Sequence, residues 1–332
     1  MAETSHDVVM GRSTLVEEMG VSDLGDQRLN DRRDRVIAAL EQSPDAAFPE
    51  ACANDADVEA LYRFLRNPRV SLDALIAPHV AATRARCAAV GDVLVLHDTT
   101  DMVFAGESAR AGLLTLSARR QGFWLHAALA VSADGLRAPL GLLSMRPFVR
   151  KVRAPGTSQP ALRMRLAPPT PERRCWGDGV TAVRACLGPR VPAIHVMDRA
   201  GDSYELFADL LTHHDRFVVR LQHDRQVETD DGGGTLSLVM PRDALGERQI
   251  TLSARATGNR PLQARRKHPP RAGRSATLRF AARALSVRRP QAWPPSLPSS
   301  LSVNVVYVWE VDAPAGEEPV EWRLITTEPI DT

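Results

Sequence analysis

Apolar residues recur at three- and four-residue steps through the first 90 positions, which is the period of helices with one face buried. Over Asp26–Leu40 the apolar stripe is Leu29, Val36, Ile37 and Leu40, and Arg28, Arg32 and Arg35 recur at the same spacing, so one helix carries an apolar and a basic face. Val58, Leu61, Tyr62 and Leu65 predict a second helix over Asp55–Arg66, stopped by Asn67-Pro68, and Ser71–Ala89 reads as a third, capped by Ser71. Beyond residue 90 the period changes. The short apolar run Val93–Leu96 predicts a strand buried on both faces, with Asp98 at its C-terminal end. Phe123–Val131 and Pro139–Met145 follow as strands around the turn signal Ser132–Gly135, and an Arg- and Pro-rich stretch covers Arg146–Arg174. Ala193–Met197 is a strand that runs into Asp198, followed by a helix capped by Asp202 with Glu205 three residues on, and then by a strand over Phe217–Leu221. Alternating runs at Gln249–Ala254, Ala276–Phe280 and Val303–Trp309 make the remainder mostly β.

With 332 residues and 44% hydrophobic content, the chain can bury a large core. The longest apolar runs fall short of a membrane span, and Met1–Met10 lacks the basic-then-apolar order of a signal peptide, so a cytoplasmic, nucleoid-associated protein without membrane contact is expected. Cys52, Cys87, Cys175 and Cys186 are widely separated and read as reduced, packed thiols. A net charge of +2 hides an uneven distribution. Arg255–Arg289 holds eleven Lys or Arg and no acid, whereas acids dominate Glu310–Asp331. Such a basic run serves either as a polyanion contact or as a solvated loop, the latter favoured by Pro261, Pro269, Pro270 and Gly273.

Two aspartates at the ends of separate buried strands can converge on one sheet edge, although an Asp in that place is also an ordinary turn former or cap. Converging carboxylates can bridge divalent ions that activate a nucleophile and stabilise the leaving oxygen of a phosphodiester, and Mg²⁺ or Mn²⁺ suits such a hard oxygen site.

The local sequences add to this. Leu96-His97-Asp98-Thr99-Thr100 and Val196-Met197-Asp198-Arg199 resemble the first and second acid motifs of bacterial DDE transposases of the transposon-5 and insertion-sequence-4 type. Leu24-Gly25-Asp26 with Arg28-Leu29 and Arg32 is similar to the N-terminal DNA-binding signature of that family, and Tyr62-Arg63-Phe64-Leu65 with Asn67 to its following helix. Gly122–His126 resembles the family's second strand, Arg216–Arg220 the strand after the second acid, and Glu321–Pro329, with Trp322, the strand closing a β insertion. The resemblance implies an α/β, ribonuclease-H-like core with a β-rich insertion and a helical DNA-binding unit. The expected boundaries are 1–90 for that unit, 91–223 for the first part of the core, 224–320 for the insertion and 321–332 for the returning core segment. It also implies roles: Asp98 and Asp198 as catalytic metal ligands, Trp322 lining a pocket for a flipped base, and Arg220 contacting DNA beside it. Read from the residues alone, Trp322 could equally be a core residue of the insertion, and Arg28 and Arg32 could pair with Asp31 and Asp34 instead of DNA.

Two departures from the family stand out. Ala200 occupies the place of an acid that usually follows the Asp-Arg of the second motif. The third acid belongs on a helix beyond the Trp322 strand, and the sequence stops at Thr332, where Pro329, Asp331 and Thr332 look like the start of that helix; Glu328, between strand and proline, is no substitute. The expectation is therefore a cut-and-paste DNA transposase truncated at its C-terminus and inactive as this chain, with double-stranded transposon ends as partner and a possible dimer with a full-length transposase. The alternative is a non-catalytic transposon-end binding protein that inhibits an intact transposase.

Overall fold

The computed structural model describes residues 14–104, 110, 112–117, 120–149, 171–241, 243–255 and 270–330. The middle of the basic run and the helix-start signal at Asp331 and Thr332 lie outside the described residues. The contacts of the chain resolve into two units. One comprises Met1–Met102, Trp124–Phe148 and Asp178–Ala193, and the other Val103–Phe123, Val149–Gly177 and Ile194–Thr332.

The first unit opens with helices α1 (Leu15–Met19), α2 (Gln27–Gln42), α3 (Phe48–Ala51), α4 (Asp55–Leu65) and α5 (Leu72–Val90). The three long ones are those the periodicity predicts. Each begins where a side-chain oxygen accepts an orphan backbone N–H: Asp26 from Arg28 at 2.9 Å, Asn54 from Asp57 at 3.0 Å, Ser71 from Ala74 at 3.1 Å. Glu18 of α1 accepts from Arg86 through both oxygens and from His79 Nδ1 at 2.7 Å, docking α1 on α5. Burial works against the charged form of Glu18, but the hydrogen bonds and charge of Arg86, joined by His79, outweigh it and hold its carboxyl below the ordinary value. His79 Nε2 accepts the Leu142 N–H at 2.9 Å, so the imidazole links α1 to strand β4 (Pro139–Phe148).

Strand β1 runs over Val93–Phe104, which corrects the expectation that the strand ends at Asp98. Thr99, Thr100, Val103 and Phe104 favour extended backbone, so the strand outlasts the apolar run that announces it. The burial does stop there: Val93, Val95 and His97 are buried and Asp98 is exposed. β3 (Arg120–Ser132) neighbours β1 and pairs antiparallel with β4. Helix α6 (Pro171–Leu187) completes a core in which Cys87, Val95, Ala128, Leu143 and Val183 meet.

In the second unit β5 (Ala193–Met197) is followed by a 3₁₀ turn (Arg199–Gly201), helix α7 (Tyr204–Thr212) and β6 (Arg216–Arg220), which pairs parallel with β5. A buried strand, a crossover helix and a parallel partner form one βαβ step. β7 (Gln226–Thr229), β8 (Gly232–Thr235), helix α8 (Leu236–Val239), β9 (Gly246–Leu252), β10 (Arg274–Arg288), β11 (Ser300–Val311) and β12 (Glu321–Thr326) follow. The order is β5-β6-β12-β11-β10-β7-β8, with β9 on β10, so β12 pairs with both β11 and β6 and returns the β-rich excursion to the strand it left. β2 (Leu114–Ser117) pairs with the first residues of β3. The protein is thus mixed α/β, with N-terminal helices and a mixed sheet. No helix of the described residues is long and apolar enough to cross a membrane.

The cap of α7 is a second correction. Ser203 occupies the N-cap position, and the carboxylate of Asp202 turns away to bind Gln222, His223 and Arg225, because a buried acid gains more from a guanidinium and two N–H groups than from one.

Candidate nucleic-acid interface

On α2, Arg28 is exposed and Arg32 is half-buried, its Nη1 donating to Asp57 Oδ1 of α4 at 3.0 Å. The acid that engages Arg32 is therefore Asp57, one helix away, in place of the Asp31 and Asp34 that the sequence offered. Asp34 pairs with Arg33, a buried cation that donates to the carbonyls of Gly20 and Ser22 and fixes the α1–α2 connection. Arg69 Nη1 donates to the Gly25 carbonyl at 2.7 Å, and Gly25 has φ +76°, a conformation that a side chain would strain. Arg28 and Arg35 of α2 and Arg63 and Arg66 at the α4 end are exposed cations, with Arg63 in a surface pair with Glu59 at 3.2 Å that leaves its charge largely available.

Asp98 belongs to the first unit. Its Oδ1 accepts from Thr99 N at 2.7 Å, and the residues on either side of it are both held by one imidazole: Thr99 Oγ1 lies 2.8 Å from His126 Nδ1 and His97 Nδ1 3.4 Å from His126 Nε2. His126 is fully buried, and that burial, reinforced by the charge of Arg146, pulls its imidazole down to about 4. Gly179 passes so close that an added Cβ would stand 2.7 Å from His126 Nε2.

Asp198 belongs to the second unit, where it is exposed and caps the 3₁₀ turn by accepting from Ala200 N at 2.8 Å. Both aspartates offer hard carboxylate oxygens suited to a divalent ion. Among the described residues no three His, Cys, Asp or Glu side chains are grouped to hold a metal.

The structure does bring Arg220 and Trp322 together. Leu324 pairs with Arg220 across β12 and β6, and the guanidinium carbon of Arg220 lies 5.5 Å from the centre of the Trp322 ring. Trp322 also packs on the core of Leu252, Ala276, Leu278 and Val320, so it is a core residue on one side and a wall on the other. It faces a cavity of about 730 Å³ whose cations are Arg199, Arg220, Arg255, Arg271 and Arg323. Glu317, Glu318 and Glu321 also line it, but Glu317 binds Arg274 at 2.6 Å and Glu321 binds Arg323 at 3.0 Å. Arg220 Nε is buried with no hydrogen-bond partner among the described residues. Burial and the neighbouring Arg199 lower the pKa of Arg220, against the opposing pull of Asp198. An orphaned donor on a desolvated cation beside an aromatic face can pair with an anion while the ring stacks on a flat group. Of the lining cations, Arg255 and Arg271 fall in the basic run, whose charge was a legible signal, and Arg199 adjoins the second acid motif; nothing in the sequence said that these converge. Glu328 is engaged by Arg216 at 2.5 Å.

Comparison with known proteins gives likenesses of two kinds, to a solved structure and to a family of sequences. Across 98% of its length the chain is similar to a solved structure, the piggyBac transposase in a synaptic complex with hairpin DNA, at 8% identity and a TM-score of 0.36, spanning 60% of that chain. Residues 12–70, the stretch that holds α1, α2, α3 and α4, match the family described as Transposase DNA-binding.

Proposed function

We propose that this chain is a DNA-binding protein of the transposase kind, in which residues 12–70 grip double-stranded transposon ends and the Arg220–Trp322 cavity takes an unstacked stretch of that DNA. The observation that carries the reading is the match of residues 12–70 to the transposase DNA-binding family, on helices whose caps are in place and whose Arg28 is free to meet a phosphate. The Arg220 Nε above Trp322, without a hydrogen-bond partner among the described residues, supports the second half. In this reading the core is ribonuclease-H-like, with Asp98 and Asp198 as the carboxylates of a DDE-type centre. A Mg²⁺ or Mn²⁺ ion there would supply Lewis-acid polarisation of a phosphodiester. The chain's own contribution is to present Asp98 on a strand anchored by His126, and Asp198 on a turn whose Ala200 N–H its own carboxylate accepts.

The test is binding of a transposon-end duplex to the 332-residue chain by fluorescence anisotropy, followed by incubation with Mg²⁺ or Mn²⁺. Binding is expected to weaken steeply with salt, and the R28A/R32A variant to lose about tenfold in affinity, most of it through Arg28 because Arg32 is tied to Asp57. These residues by themselves are expected to neither nick nor join the DNA. Unchanged affinity in R28A/R32A would remove the DNA-binding reading. Metal-dependent cleavage abolished by D98A would show a complete metal site in this chain and make it an active enzyme.

A further inference from the structure

Asp202 is a buried acid that neither the family motifs nor the cavity lining account for. Its side chain is 0% exposed and that of its partner Arg225 6%. Asp202 Oδ2 accepts from Gln222 N at 2.7 Å and from His223 N at 2.8 Å, while Oδ1 binds Arg225 Nε at 3.1 Å and Arg225 Nη2. The Asp202 N–H donates to the Arg199 carbonyl at 3.3 Å. Arg199, Gln222 and His223 all line the cavity. One buried residue thus joins the turn that carries Asp198 and Arg199 to the chain leaving β6 just past Arg220. The turn has no slack on its other side, since a Cβ on Gly201 would stand 2.9 Å from Met197 Cβ and 3.3 Å from Trp176. The Arg225 guanidinium is fixed in turn over the Phe207 ring, 5.3 Å from its centre.

Stability alone gives little reason for this arrangement. Burying an ion pair costs much of what its attraction returns, and well-packed apolar residues often serve a fold equally well. The pair differs from an apolar filler in direction: a carboxylate with four donors specifies where two backbone segments stand relative to each other.

We propose that Asp202 and Arg225 are positioning residues that hold Arg199 and Arg220 at the spacing with which the cavity takes DNA phosphates, without touching the DNA themselves. This rests on the reading of the cavity as a DNA site, and the experiment separates the two. Affinity is measured for a blunt duplex and for the same duplex with an unpaired 3′ tail, so that the gain conferred by the tail isolates the cavity from the N-terminal helices. R220A is expected to abolish the gain; if it does not, the cavity is not the tail site and the reading falls before the inference is reached. With that control in place, D202A/R225L is expected to fold, to melt near the wild-type temperature and to lose the gain by about tenfold. D202N/R225Q, a neutral pair that still accepts the backbone N–H groups, should keep it to within about threefold. Retention of the full gain by a folded D202A/R225L overturns the proposal. Should that variant not fold, hydrogen exchange on the unaltered protein decides. The amides of Gln222 and His223 are expected to be protected and to open together with Ala200–Ser203, and exchange at the rate of free loop amides would sink the idea.

Discussion

At the scale of single residues, the burial of His126 has a consequence for acid stability. Folded, its imidazole stays neutral down to about pH 4, whereas its ordinary value is 6.5, so between these limits the unfolded chain binds the extra proton. Stability from this group is complete above pH 6.5 and lost as the pH falls towards 4, by about 3 kcal/mol in all. Urea unfolding at pH 7, 5.5 and 4.5 should show that decline, and H126Q should flatten it while lowering stability at pH 7; an equal slope in both proteins would assign the effect elsewhere. Residue chemistry was partly legible in the sequence. Asp98, Asp198, Arg220 and Trp322 stand out because they sit in short motifs with a recognisable order. Asp202 was misread as a cap because its true partners, Gln222 to Arg225, are more than a strand and a helix away, and no local spacing announces them. Arg33 was missed for the opposite reason, since nothing local separates it from the exposed Arg28 and Arg35 on the same helix.

At the scale of elements, the helices of the N-terminal region were read from period and caps because both signals are local, and β1 was read short because burial and hydrogen bonding end at different residues. Helix α6 is not predicted by the sequence although Trp176, Val180, Val183 and Leu187 recur at its period, because its first turn lies inside the Arg- and Pro-rich stretch that ends at Arg174. How tightly elements approach was not legible at all. Gly141 of β4 has φ +131°, and a Cβ there would stand 2.2 Å from Thr83 Oγ1 and 3.1 Å from His79 Cε1. Strand and helix α5 can meet only over a glycine. G141A is therefore expected to cost at least about 2 kcal/mol in chemical unfolding, through strain and through loss of the Leu142–His79 bond. A neutral G141A would mean that β4 can shift away from α5 at no cost.

At the scale of the whole molecule, each unit is assembled from pieces far apart in the sequence. Val93 and Val95 are 0% exposed only because Ala128, Leu140 and Val183 cover them. A fragment ending at Met102 would leave that apolar surface bare, and should be aggregated or molten, with little near-ultraviolet dichroism, while the full chain is folded. A monodisperse, cooperatively melting 1–102 fragment would show that the N-terminal helices need none of the later strands. The pairing of β6 with β12 has a consequence during synthesis. Phe217 N bonds Thr327 Oγ1, 110 positions later. A ribosome adding roughly 5–20 residues per second takes on the order of 5–20 s to supply that partner. Throughout that interval Phe217, Val218 and Val219 present an unpaired strand edge beside the finished β5, a template for any extended segment nearby. Success in the cell is then a race between translation and mispairing, in which slow codons across the excursion, or crowding by neighbouring nascent chains, would cost yield without altering one contact of the finished fold.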